Sequence, residues 1–116
     1  MVYCERTCVC RTSTIRDLND QLRTKGIGGK VMLTRAMAAH PPQTLSAVLS
    51  AVREFDDFTS ANDPWGEHDF GSIVVEGETF FFKIDAYDLN LEYGSPDPAN
   101  DTITRRVLTI MQAGDL

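Results

Sequence analysis

The stretch Asn62 to Tyr93, NDPWGEHDFGSIVVEGETFFFKIDAYDLNLEY, holds the single Trp, one of two His, two of three Tyr and, with Phe58 at its edge, five of six Phe. It reads as a β-hairpin plus a third strand, the sheet onto which helices from elsewhere in the chain fold. Val75-Glu76-Gly77-Glu78 separates two β-rich runs, and a two-residue turn with Gly in second place suits the primed geometry that matches strand twist. With Glu76 and Gly77 at the tip, Val75 opposes Glu78, Ile73 opposes Phe80 and Gly71 opposes Phe82. Ile73, Val75, Phe80, Phe82 and Ile84 then share the core face. Ser72, Val74, Thr79, Phe81, Lys83 and Asp85 share a half-solvated one. After a turn at Asp85 and Ala86, Tyr87, Leu89, Leu91 and Tyr93 alternate with Asp88, Asn90 and Glu92, which predicts a strand with one wet side.

Working outward, Leu45, Val48, Leu49, Val52 and Phe55 recur at helical spacing behind Pro41-Pro42. This is the clearest amphipathic helix in the chain, with an apolar stripe suited to covering a sheet. Ile15, Leu18 and Leu22 predict an earlier helix, started near Thr14 and stopped by Gly26. A first strand is expected at roughly Lys30 to Ala36. Past Gly94-Ser95-Pro96-Asp97-Pro98, a cap at Asp97 or Asn100 and the series Ile103, Val107, Leu108, Ile110 and Met111 predict a last helix closed by Gly114, with Arg105 and Arg106 on its solvated face. The expected fold is α+β in the order α-β-α-β-β-β-α: a three-to-four-stranded, mainly antiparallel sheet with helices on one face.

A chain of 116 residues fits one domain able to bury a single core. Residues 13–116 are expected to form it, behind a disordered tail at 1–12. No apolar run approaches the ~20 residues of a bilayer span, and the first fifteen residues lack the apolar centre of a secretory signal, so the expected location is the cytoplasm. The formal net charge is −6, from seventeen acidic and eleven basic residues. That sign argues against direct contact with a nucleic-acid backbone and suits solubility, basic partners or competition for a site that holds phosphate.

Cys4, Cys8 and Cys10 crowd the N-terminus and no Cys follows. Three cannot all pair within one chain. As zinc ligands they would need His40 or His68 as a fourth, and C-x3-C-x-C is not a usual knuckle spacing; no cofactor is expected. Gly26-Ile27-Gly28-Gly29-Lys30 has the composition of a phosphate loop but the wrong order, since helix, glycines and strand replace strand, glycines and helix. The segment Trp65-Gly66-Glu67-His68-Asp69-Phe70-Gly71 is the best candidate for chemistry. A histidine between Glu67 and Asp69, with Asp63 nearby, can act as general acid or base or hold a cation. Adjacent strand residues point to opposite faces, however, so Glu67 and Asp69 share a side that His68 does not. A structural role at the entrance to the hairpin is the expectation, with Trp65 and Phe70 as anchors.

LND-x-LR (Leu18 to Arg23), G-x-GG-x-V-x-LTR (Gly26 to Arg35), V-x-x-FDDF-x-x-x-NDPWGEHDFG (Val52 to Gly71), FFKIDAYDLNLEYGSPDP (Phe81 to Pro98) and TRRVLTIM (Thr104 to Met111) resemble domain-of-unknown-function family 3768. The resemblance runs from about Ile15 to Met111. It implies a short protein of Alphaproteobacteria and their relatives, often carried on plasmids and other mobile elements. No activity attaches to that family, so the resemblance transfers no catalytic residue.

Three functional expectations follow. The first is an acidic protein that binds a protein partner, as an inhibitor of host defence (anti-CRISPR or anti-restriction) would, by occupying a nucleic-acid-binding surface. On a strand, positions two apart lie about 7 Å apart, so Asp88 and Glu92, with Asp85, Asp97 and Asp101, would imitate backbone phosphates, and Trp65 would add an aromatic contact. The second is a small enzyme or metal protein built on Glu67, His68 and Asp69. A third is a structural or regulatory subunit that forms a homodimer through an exposed edge strand.

Overall fold

The computed structural model describes residues 8–115. The elements run α1 (Cys8–Lys25), β1 (Gly29–Leu33), α2 (Arg35–Ala38), α3 (Pro42–Glu54), β2 (Phe70–Val75), β3 (Glu78–Tyr87) and β4 (Arg105–Gln112), with single 3-10 turns at Asp101–Ile103 and Ala113–Asp115. Four strands form one mixed sheet in the order β1-β4-β3-β2, with β1 parallel to β4 and the other two pairs antiparallel. The fold class is α+β, as expected, and Cys4, with residues 1–7 of the tail expected at 1–12, lies outside the described residues.

The hairpin forms in the predicted register: Val75 pairs with Glu78, Ile73 with Phe80 and Gly71 with Phe82. Glu76 and Gly77 take φ values of 55° and 80°, the two positive angles that a type I′ turn requires. Gly71 has a packing reason as well, because a Cβ there would sit 2.3 Å from the Phe82 ring. Leu22 of α1, Met37 of α2 and Val48 and Val52 of α3 pack with Ile73, Phe80, Phe82, Ile84, Leu108 and Ile110 in one core. Each such side chain contributes roughly 1.5 to 3 kcal/mol on burial, before chain entropy is subtracted.

Two predicted elements are replaced. Residues 88–93 are a loop and not a strand: Leu91 sits at φ 59°, and Asp88 Oδ1 accepts the N–H groups of Asn90 at 3.2 Å and Glu92 at 3.0 Å. An aspartate that bonds the backbone two and four residues on closes a turn, which defeats the alternation around it. The last helix is strand β4. Arg106, Leu108 and Ile110, two apart, are buried against the helices, and Thr104, Val107, Thr109 and Ile110 are of the β-branched type that fits a pleated surface. Arg106, expected on a solvated face, is 1 % exposed. Asn100 does cap, but for the short 3-10 turn, its Oδ1 accepting the Thr102 N–H at 3.1 Å.

Smaller corrections concern element bounds. α1 begins at Cys8 and so contains Cys8 and Cys10, six residues ahead of the expected start. β1 ends at Leu33 because Thr34 turns out to cap α2, its hydroxyl accepting the Met37 N–H. His40, weighed above only as a possible fourth ligand, is half-buried, edge-on to Phe80 and bonded to Gln112.

Candidate functional site

The loop over residues 55–69 carries every candidate catalytic side chain, and side-chain bonds shape it. Asn62 Oδ1 accepts the Thr59 N–H at 2.7 Å, Asn62 Nδ2 donates to Asp57 O at 2.8 Å, and the Asp63 N–H donates to Thr59 O at 2.7 Å. Asp63 is thereby buried, 8 % exposed, and its Oδ1 accepts the His68 N–H at 3.1 Å. That bond holds His68 at φ 56°, a left-handed angle rare outside glycine.

So turned, the His68 ring stacks flat on Phe58, centroids 3.8 Å apart and planes 4° from parallel. Its Nδ1 lies 2.9 Å from Asp20 Oδ1 on α1, and its Nε2 is 3.6 Å from Asp63 Oδ2. Asp20 also pairs with Arg23 at 3.0 Å. Arg23 donates to Val52 O, Arg53 O and Phe55 O at 3.2, 3.3 and 2.7 Å, capping the carbonyl end of α3. A polar line therefore runs from the end of α3 through Arg23, Asp20 and His68 to Asp63.

A second line passes through Asn19. Its Nδ2 donates to Glu67 O at 3.0 Å and its Oδ1 accepts from Arg106 Nε at 3.0 Å. Arg106 also donates to Pro98 O and lies 3.6 Å from Asp101. Burial lowers the Arg106 pKa, opposed by the carboxylates of Asp101 and Glu67. Burial raises the Glu67 pKa, reinforced by Asp69 and Asp63 and opposed by Arg106. Burial likewise raises that of Asp69, with Asp63 and Asp85 adding to it and its own backbone N–H and His68 opposing.

Of the three candidates, His68 thus meets Asp20 and Asp63, and Glu67 is held through its backbone carbonyl by Asn19; Asp20, Asn19 and Arg23 are the residues sequence reasoning missed. Their signal was present: Ile15, Asn19, Leu22 and Arg23 form the buried stripe of α1, and two polar residues on an apolar stripe imply buried partners. What the arrangement does is tie helix, loop and strand together. Three surface cavities of 610, 340 and 140 Å³ have none of Glu67, His68 or Asp69 in their walls. Among the described residues no three His, Cys, Asp or Glu converge as a metal cage.

The acids expected to form a phosphate-like ladder do not share a strand. Asp85 pairs with Lys83 at 3.2 Å and Asp97 with Arg11 at 2.7 Å, Asp88 closes its own turn, and Asp101 faces Arg106. Glu92 points to solvent, and Trp65 is 77 % exposed at the loop surface.

Fold and site together define a two-layer α+β domain whose buried polar groups serve as braces. A family model described as "Protein of unknown function (DUF3768)" matches residues 33–115, and the chain belongs to that family. No curated protein and no solved structure matches it. No helix among the described residues is long and apolar enough to cross a membrane.

Proposed function

We propose that the chain is a non-enzymatic interaction protein whose partner is another protein. The carrying observation is where large apolar side chains meet solvent. Of nine exposed among the described residues, Ile27, Val31, Met32, Leu33, Leu89 and Leu91 lie on or beside the outermost strand β1. Gathered apolar exposure of this kind marks an interaction surface, whereas scattered exposure does not. A narrower form of the reading makes the chain a cytoplasmic, mobile-element inhibitor of host defence that covers a nucleic-acid-binding surface. The net charge of −6 supports it, as does the exposed Trp65, an aromatic of the kind that anchors interfaces.

The test is capture of a host protein by the immobilised full chain, identified by mass spectrometry, with His68→Ala run beside it. We expect the substituted chain to hold the same partner. A small-molecule turnover that His68→Ala abolishes, with no protein captured, would overturn the reading in favour of chemistry at Glu67, His68 and Asp69.

A further inference from the structure

Both of the cavities that flank β1 open onto its unpaired edge, one on each face of the sheet. Lys30 pairs with Val107 and Val31 with Leu108, and paired residues share a face while successive ones alternate. The 610 Å³ groove has Lys30, Val107, Leu89, Leu91 and Arg105 in its wall. The 140 Å³ notch, on the helix side, has Val31, Leu108, Leu22, Leu49, Lys25 and Arg53. All five residues of β1 are exposed.

The backbone of this edge is also unspent. The Thr34 N–H donates to Ile110 O on β4 at 3.2 Å. Backbone direction alternates along a strand, so Lys30 and Met32 turn their N–H and C=O groups toward β4 while Gly29, Val31 and Leu33 turn theirs outward. Six of the chain's eleven Lys and Arg residues (Arg23, Lys25, Lys30, Arg53, Arg105 and Arg106) line the two cavities, and Asp101 is the one acid in either wall. Arg23 and Arg106 are buried and committed to internal bonds, whereas Lys25, Lys30, Arg53 and Arg105 are exposed. On a chain of net charge −6, the walls of these two cavities carry the opposite sign.

We infer that the free edge of β1 accepts an extended segment of the protein partner as a fifth strand, and that this segment carries apolar and acidic side chains. Main-chain bonds to Gly29, Val31 and Leu33 supply affinity, and the cavities on the two faces read alternate side chains. Each cavity combines an apolar floor with a cationic rim, so acids are accepted on both faces and basic residues on neither. The inference rests on the interaction reading above and gives it a surface and a partner chemistry.

The probe is a capped dodecapeptide of four Val-Glu-Leu repeats, which places acids on both faces of a strand, titrated against the full chain by fluorescence anisotropy. A Val-Lys-Leu version and a Val-Glu-Leu version N-methylated at every residue serve as comparisons. We expect the acidic peptide to bind at least about tenfold more tightly than the basic one at low salt, with the preference shrinking as salt rises. N-methylation should abolish binding without touching the protein. Lys30→Glu combined with Arg105→Glu, which leaves Lys25 and Arg53 in place on the helix side, should remove most of the preference for the acidic peptide. Val31→Pro, which removes one outward N–H, should weaken both peptides if its thermal transition is retained; the charge-reversed variant decides the matter otherwise. Equal binding of acidic and basic peptides, or binding indifferent to N-methylation, overturns the inference. So does a dimer in sedimentation that Val31→Pro dissolves while no peptide binds, since a second copy then covers the edge. A host partner captured equally by the wild type and both variants removes this edge assignment and leaves the interaction reading intact; capture of no protein removes both.

Discussion

Asn19 is where two distant parts of the molecule meet, one amide group serving both Glu67 O and Arg106 Nε. Its truncation strands a buried guanidinium nitrogen, so Asn19→Ala should cost about 1 to 3 kcal/mol, read as a shift of the urea midpoint at constant slope. Trp65→Ala should change stability by no more than about 0.5 kcal/mol, because Trp65 is 77 % exposed. Its effect should appear in partner capture instead. Glu67 and Asp69 set a pH signature. Burial raises both pKa values, so the folded chain holds these protons more tightly than the unfolded one. The stability they lend is complete below the ordinary carboxylate range, about pH 4, and is lost as pH rises through the raised values. Glu67→Gln combined with Asp69→Asn should therefore raise Tm at neutral pH, and the gain should narrow on acidification; calorimetry across pH checks it. The sequence showed Glu67, His68 and Asp69 as neighbours but not Asp20, which reaches His68 from 48 residues away. The left-handed angle at His68, φ 56°, was not legible either, since the extended alternation assumed for this segment does not include it.

Hairpin β2–β3 was legible to the residue because its turn chemistry and its alternation agree: Glu76-Gly77 sets the register and Ile73, Phe80 and Phe82 choose the face. Gly71→Ala should cost about 1 to 3 kcal/mol through overpacking, since its Cβ would meet the Phe82 ring; chemical denaturation measures it. β4 was misread because Ile103, Val107, Leu108, Ile110 and Met111 satisfy a helical spacing as well as a strand spacing, and a proline-rich cap signal precedes them. Long-range pairing on both sides decided between the two. Local pattern could not reveal that the strand lies between β1 and β3. The reverse error came at residues 88–93, where alternation was real but Asp88 spends its carboxylate on a turn. The β1 edge makes its own claim: amides of Val31 and Leu33 should exchange with deuterium quickly while those of Met32 and Thr34 are protected, resolved by NMR.

At the scale of the whole molecule, one sheet carries helices on one face, and charge is divided unevenly around it. Ile110 is fully buried at the centre of the core, and Ile110→Ala should cost about 2 to 5 kcal/mol, enough to consume much of the stability of a domain this size. A chain ending at residue 104 should show no cooperative thermal transition at all, since β1 and the β2–β3 hairpin each touch β4's side of the sheet and not one another. An isolated hairpin is marginal in water. The parallel partner of Gly29 is Arg106, so during synthesis the first strand leaves the ribosome long before the strand it must lie beside. The nascent chain meanwhile displays an unsealed Phe80 and Phe82 beside a bare β-edge, and the domain can close only once residue 112 is clear of the exit tunnel. Chaperone occupancy on stalled chains should accordingly peak between the emergence of β3 and that of β4.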